Sequence, residues 1–185
     1  SMSFSNTMLR SIICSVDNAF VNGKSIDYFR CIIDQFSKHE YKELLDDFKD
    51  SNKERISSYD LLTTNGYSKY QLYKNNNYEV NMIEWEKQAK SKIHNHSPNG
   101  CVLKLIDGSL IEDKFIYPEN YNTQTYNLEP IKHTERNVIV PIHSFNKSKT
   151  HSYYMEGFHQ ITNINNDKSY SLHFYSPPDF IPKTY

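Results

Sequence analysis

The sequence predicts a mainly β fold, a small β-barrel or jelly-roll-like sandwich entered through an N-terminal cap of about three α-helices. Two changes of pattern predict it. Apolar residues recur at three- and four-residue intervals up to about residue 50, and from about residue 67 that period gives way to short strands separated by turn residues. The composition agrees: 15 Tyr and 10 Phe in a chain only 37% hydrophobic indicate a core built from rings rather than long aliphatic runs.

The helices follow in order. Leu9, Ile12, Ile13, Val16 and Phe20 form the first stripe, and Gly23 supplies its stop. Ser25 is placed to cap a second helix carrying Ile26, Phe29, Ile33 and Phe36. Tyr41, Leu44, Leu45 and Phe48 mark a third. Together they read as an amphipathic layer covering one end of a sheet. Tyr67 to Tyr73 and Tyr78 to Trp85, separated by Asn75, Asn76 and Asn77, read as a hairpin. Turns are expected at Ser97-Pro98-Asn99-Gly100 and Asp107-Gly108-Ser109. Further strands are expected over Asn137 to Ile142, Tyr153 to Ile161 and Ser169 to Tyr175, with Pro177 and Pro178 ending the last because neither donates to a ladder. One domain over residues 1–185 is expected, with the cap at about 6–50 and the barrel at about 65–180.

A formal net charge of −1, with acids and bases interspersed, gives no electrostatic footprint for nucleic acid or an anionic membrane, so a small partner is expected. No apolar run approaches a membrane span and no secretory pattern opens the chain. Cys14, Cys31 and Cys101 are an odd set without CxxC spacing, which suggests neither a disulfide framework nor a structural zinc site. The chain reads as cytoplasmic, and a monomer is expected.

His94 and His96 lie two apart, a spacing that puts both imidazoles on one face of a strand, where they can chelate one ion. Four residues separate His96 from Cys101, and six separate Cys101 from Gly108. This resembles the first cupin motif, with Cys101 where the acid usually sits. Gly157-Phe158-His159 followed by Asn163 resembles the second, whose histidine is the remaining ligand. Three neutral imidazoles leave the full dipositive charge on a bound ion, which favours an anionic ligand such as a thiolate. Three histidines plus water is also a hydrolytic zinc arrangement, so ligand count leaves the metal open.

Beyond the cupin motifs, Ile93-His94-Asn95-His96, Cys101 to Leu105, Gly157-Phe158-His159 and Ser171-Leu172-His173-Phe174-Tyr175-Ser176-Pro177-Pro178 resemble the cysteine dioxygenases, thiol dioxygenases of the cupin superfamily. The resemblance implies Fe(II) on His94, His96 and His159, and conversion of L-cysteine and O2 to cysteine sulfinate. It implies a thioether crosslink between Cys101 and Tyr175, and a hydrogen-bonded series Ser171, His173 and Tyr175 in which the Tyr175 hydroxyl positions substrate and oxygen. Trp85 matches a family tryptophan whose role reads as packing. His39, His133, His143 and His151 match no ligand position and read as solvated or structural.

One position departs from that pattern. Where the family places a Tyr-x-Arg pair, with the arginine holding the substrate carboxylate, this chain has Tyr67-Ser68-Lys69. Lysine keeps the charge and loses the planar two-pronged geometry. Lys69 and Tyr67 are therefore the expected substrate-binding residues, with 3-mercaptopropionate or cysteamine as alternative thiols. Two other functions stay open, a zinc or manganese cupin of another chemistry and a metal-binding cupin without turnover. The resemblance fades after Pro178, so part of the site's outer wall is expected to be missing or supplied by the helices.

Overall fold

A computed structural model describes residues 5–51, 66–116, 132–139, 151–153 and 157–184. It begins with three helices, α1 (Thr7–Val21), α2 (Ile26–Ile33) and α3 (Lys38–Ser51). The Asn6 side chain caps α1 by accepting from the Leu9 amide at 2.9 Å. Gly23, at φ +66°, ends it in the left-handed region that glycine enters at no steric cost. Ser25 stands at the N-cap of α2, but its side chain makes no capping bond, so that expectation is corrected. The anticipated stripes are otherwise the buried ones, except that Phe20 and Phe36 are only partly buried and Phe36 lies beyond the end of α2.

Eight strands follow: β1 (Tyr67–Lys74), β2 (Glu79–Trp85), β3 (Cys101–Asp107), β4 (Leu110–Ile116), β5 (Lys132–Ile139), β6 (His151–Tyr153), β7 (Phe158–Asn163) and β8 (Ser169–Tyr175). They form two antiparallel sheets, ordered β1-β2-β8-β3-β6 and β5-β4-β7, which is the mainly β cupin arrangement the sequence predicts. The β1–β2 hairpin turns at Asn75, whose side-chain oxygen accepts from the amides of Asn77 (2.8 Å) and Tyr78 (3.1 Å).

Alternation along the five-stranded sheet assigns its two faces. Val80 and Met82 of β2, Val102 of β3 and Leu172 and Phe174 of β8 form one hydrophobic cluster with the helices. Ile83, Trp85, Cys101, Leu103 and Leu105 point the other way and pack with Leu110, Ile139 and Ile161 of the smaller sheet. The helices therefore cover one face of the sheet rather than its end. Buried Lys104 leaves that face to pair with Asp34, just beyond α2, at 3.4 Å.

Three further expectations are corrected. The strand expected over Tyr153 to Ile161 is two strands in different sheets, β6 beside β3 and β7 beside β4. His94 and His96 do not share a strand: the segment between β2 and β3 is irregular, and His94 makes only isolated bridges to His159 and Thr184. The strand expected over Asn137 to Ile142 starts earlier, at Lys132, and residues 140–142 lie outside the described residues.

Gly108 explains the glycine of the first motif in physical terms. Its φ is +94°, and a Cβ there would lie 2.0 Å from Ser169 Oγ and 2.9 Å from Ser169 Cα. Collision with backbone and a left-handed φ add, so Gly108→Ala is expected to destabilise the fold by about 2–4 kcal/mol. A urea midpoint unchanged from that of the parent protein would refute this.

Candidate metal centre

Between the sheets lies a cavity of about 330 Å³. The residues that line it come from β1, β2, β3, β7 and β8, from the segment carrying His94 and His96, and from residues 180–184. None comes from the helices, so the expected replacement of the outer wall by helices is corrected. That wall is the segment 180–184 instead: the Lys183 amide donates to Asn95 Oδ1 at 2.8 Å, and its carbonyl accepts from the Asn95 amide at 3.3 Å.

His94, His96 and His159 meet on one side of this cavity, with ligand atoms all within 4.8 Å of one another. Reciprocal backbone hydrogen bonds between His94 and His159, both 3.0 Å, lock the irregular segment onto β7. The His159 Nε2 lies 3.0 Å from the Nε2 of His96 and 3.0 Å from that of His94. The opposite ring nitrogens fix the tautomers. His94 Nδ1 is 2.8 Å from the Lys92 carbonyl, which only accepts, and His159 Nδ1 is 2.9 Å from Glu112 Oε2. Both Nδ1 atoms therefore carry hydrogen, which leaves the Nε2 of a neutral ring as a lone-pair donor toward the cavity. Loss of solvent around His94 pushes its pKa down and favours the neutral ring. Lone pairs this close repel unless a cation lies between them. Metal–nitrogen bonds of about 2.1 Å set at right angles hold ligand atoms about 3.0 Å apart, which both His159 pairs match, so the three imidazoles could hold one ion.

Glu112 was not among the sequence candidates. It lies on β4, is 1% exposed, and holds His159 through the ring nitrogen turned away from the cavity. The acid missing at Cys101 is thus partly replaced by a carboxylate one imidazole removed from the metal position. A charged residue alternating with Leu110 on a core-facing strand was the signal available.

The facing wall is polar in one continuous line. The indole N–H of Trp85 donates to Ser171 Oγ at 2.9 Å. The Ser171 oxygen lies 2.6 Å from His173 Nε2, and His173 Nδ1 lies 3.1 Å from the Tyr175 oxygen, so the line is continuous from indole to phenol. Trp85 also stacks on Tyr67, with centroids 4.6 Å apart, so its part is more than packing. Cys101 and Tyr175 are directly opposed on β3 and β8 and hydrogen-bonded through their side chains. Burial pushes the pKa of both well up, so thiol and phenol are protonated at neutral pH.

Lys69 projects from β1 into the same cavity with its Nζ 4.6 Å from the Tyr175 ring centroid. It pairs with Glu79 of β2 at 3.8 Å. Tyr67 lines the cavity beside it, its phenol pushed up to about 12 by burial. Two of the remaining histidines lie away from the cavity: His39 pairs with Glu43 on the surface, and His133 pairs with Asp113. His143 lies outside the described residues, as does the side chain of His151.

Comparison with known proteins places this geometry. The family model described as cysteine dioxygenase type I matches residues 28–184. The cysteine dioxygenases type 1 of Rattus norvegicus and Homo sapiens are each 27% identical over 124 residues, covering 60% of this chain and 56% of theirs. The chain therefore spans little more than half the length of these curated relatives. Among solved structures, KdgF from Halomonas sp. aligns with a TM-score of 0.46 at 11% identity, over 68% of this chain and 89% of that one. An RmlC-like cupin from Shewanella frigidimarina aligns with a TM-score of 0.43 at 12% identity, over 62% and 79%.

The Glu112 contact yields a direct expectation. Glu112→Gln removes the charge behind His159 and is expected to weaken divalent-metal affinity by about 10–100-fold. Competitive metal titration of folded protein measures it, and an affinity within twofold of the parent would refute the role.

Proposed function

Because the chain belongs to the type I cysteine dioxygenase family, we propose that it is a non-haem Fe(II)-dependent thiol dioxygenase that converts L-cysteine and O2 to cysteine sulfinate. The observation that carries this reading is the placement of two assemblies on one cavity. The three imidazoles occupy one side, and the Trp85–Ser171–His173–Tyr175 line ends opposite Cys101 on the other.

His94, His96 and His159 would hold the iron, which would supply the redox chemistry that joins O2 to a substrate thiolate. The protein's residues do the rest. Ser171 and His173 hold the Tyr175 hydroxyl, which donates to substrate or oxygen. Cys101 stays a protonated thiol and does not compete with the substrate as an anionic ligand. Joining Cys101 sulfur to the Tyr175 ring removes two hydrogens, with O2 as the oxidant. Lys69, supported by Tyr67, receives the substrate carboxylate as a point charge. The presence of Glu79 at 3.8 Å from that charge favours, as a second reading, a small thiol without a carboxylate such as cysteamine, beside 3-mercaptopropionate, which keeps one.

The test is a thiol panel: anaerobic loading with Fe(II), then oxygen, following O2 consumption and product mass. Cysteine is expected to give a product heavier by two oxygen atoms, and no uptake with any thiol would overturn the assignment. After prolonged turnover, peptide mass spectrometry is expected to find Cys101 and Tyr175 in one crosslinked species lacking two hydrogens. Lys69→Ala is expected to raise KM for cysteine by about 10–100-fold, the worth of one charge-assisted hydrogen bond. An unchanged KM would remove Lys69 from the substrate site.

A further inference from the structure

Lys69 and Glu79 are inward-facing residues of the neighbouring strands β1 and β2, set apart along the ladder by the Gln71–Asn81 pair, and their side chains are 11% and 1% exposed. A buried ion pair contributes little to stability compared with apolar residues of the same volume, because desolvating both charges offsets their attraction. Stability is therefore a poor reason for a charged pair at this place. The two partners also stand differently toward the cavity. Lys69 lines it, whereas Glu79 is absent from the lining and lies behind, opposite Tyr175 on β8. Glu79 is itself held: Gln71 Nε2 donates to its Oε2 at 3.1 Å. Asn81, directly across the ladder from Gln71, is fully buried and has no hydrogen-bond partner among the described residues. Local hydrogen bonding thus serves the Glu79 carboxyl group while the side-chain amide of Asn81 goes without.

We propose that Glu79 is a positioning residue, the counter-ion that holds the Lys69 ammonium at the cavity wall, so that carboxylate recognition in this chain belongs to the Lys69–Glu79 pair. The inference rests on the thiol dioxygenase reading and names the residue that sets which thiols it takes. The need for a counter-ion is physical. Burial lowers the pKa of Lys69, and the negative charge of Glu79 opposes that shift. The other titratable groups around Lys69 are Cys101 on β3, His173 and Tyr175 on β8, His94 on the irregular segment, Tyr67 on its own strand and Asp179 beyond β8. Of the acidic residues in this set, Glu79 is the one in ion-pair contact with Lys69, while Asp179 pairs with Lys74. An ammonium carries three N–H donors, more than one carboxylate contact uses.

The test compares Glu79→Gln with the parent protein, cysteine against cysteamine, across pH. Without its counter-ion Lys69 loses its proton at lower pH. The variant is expected to lose about tenfold more kcat/KM for cysteine than for the carboxylate-free cysteamine, mostly in KM, with the alkaline limb for cysteine moved down by about one pH unit. Equal losses for both thiols would show a purely structural role and overturn the proposal. A lower KM for cysteine would show that Glu79 competes with substrate for Lys69, and would overturn it equally.

A second measurement needs neither turnover nor the variant's folding. In zinc-loaded parent protein with labelled lysine side chains, the Lys69 resonance, assigned by its loss in Lys69→Arg, is expected to stay cationic through pH 8. It is expected to shift on adding 3-mercaptopropionate but not cysteamine. A neutral Lys69 at pH 8, or an equal response to both thiols, refutes the pair. Absence of O2 uptake with a normal Lys69 response would instead refute the dioxygenase reading alone.

Discussion

Two imidazole nitrogens, His94 Nε2 and His159 Nε2, face each other across 3.0 Å, and the third, on His96, is equally close to His159. Left alone, such a cluster of lone pairs is repulsive. The surrounding structure holds it together by directional means: the reciprocal backbone bonds between His94 and His159, the Lys92 carbonyl behind one ring and the Glu112 carboxylate behind another. Each fixes a tautomer as well as a position, so the three donors present lone pairs rather than hydrogens to the cavity. A cation turns this arrangement from a cost into a chelate.

The five-stranded sheet lets that centre coexist with a stable core. Its outer face is committed to the helices through Val80, Met82, Leu172 and Phe174, leaving its inner face available for polar residues. Ser171, His173 and Tyr175 share that inner face because they alternate with Leu172 and Phe174. Their chain of hydrogen bonds begins at the Trp85 indole, which only donates, and runs through Ser171 and His173 to Tyr175.

The substrate end follows another logic. The metal position, Lys69 and Glu79 place two positive centres and one negative one around a small cavity, and burial makes each influence the others more than it would in water. An arginine would hold its charge without help, whereas a buried lysine needs a neighbouring carboxylate to do so. On the proposed reading the lysine and Glu79 act as one unit on neighbouring strands.

Much of this was legible from residue spacing. The helical stripes, the Asn75–Asn77 hairpin, the alternation of Ser171, His173 and Tyr175, and the two motifs holding His94, His96 and His159 all reflect local periodicity, which a sequence carries on its face. The family resemblance, not spacing, drew attention to Lys69. What spacing did not carry were relations across strands and between sheets. Glu112 reaches His159 only because β4 and β7 pair in one register, and Glu79 reaches Lys69 diagonally, across the Gln71–Asn81 pair, only because the hairpin sets β1 beside β2. The division of residues 153–161 between two sheets and the irregular path of His94 and His96 have the same origin. The sequence by itself determined the metal-ligating residue types, the period of each element and the departure at Lys69. The tertiary structure alone decided which charges stand behind them, because a hydrogen bond or ion pair between residues far apart in the chain depends on register and has no period to read.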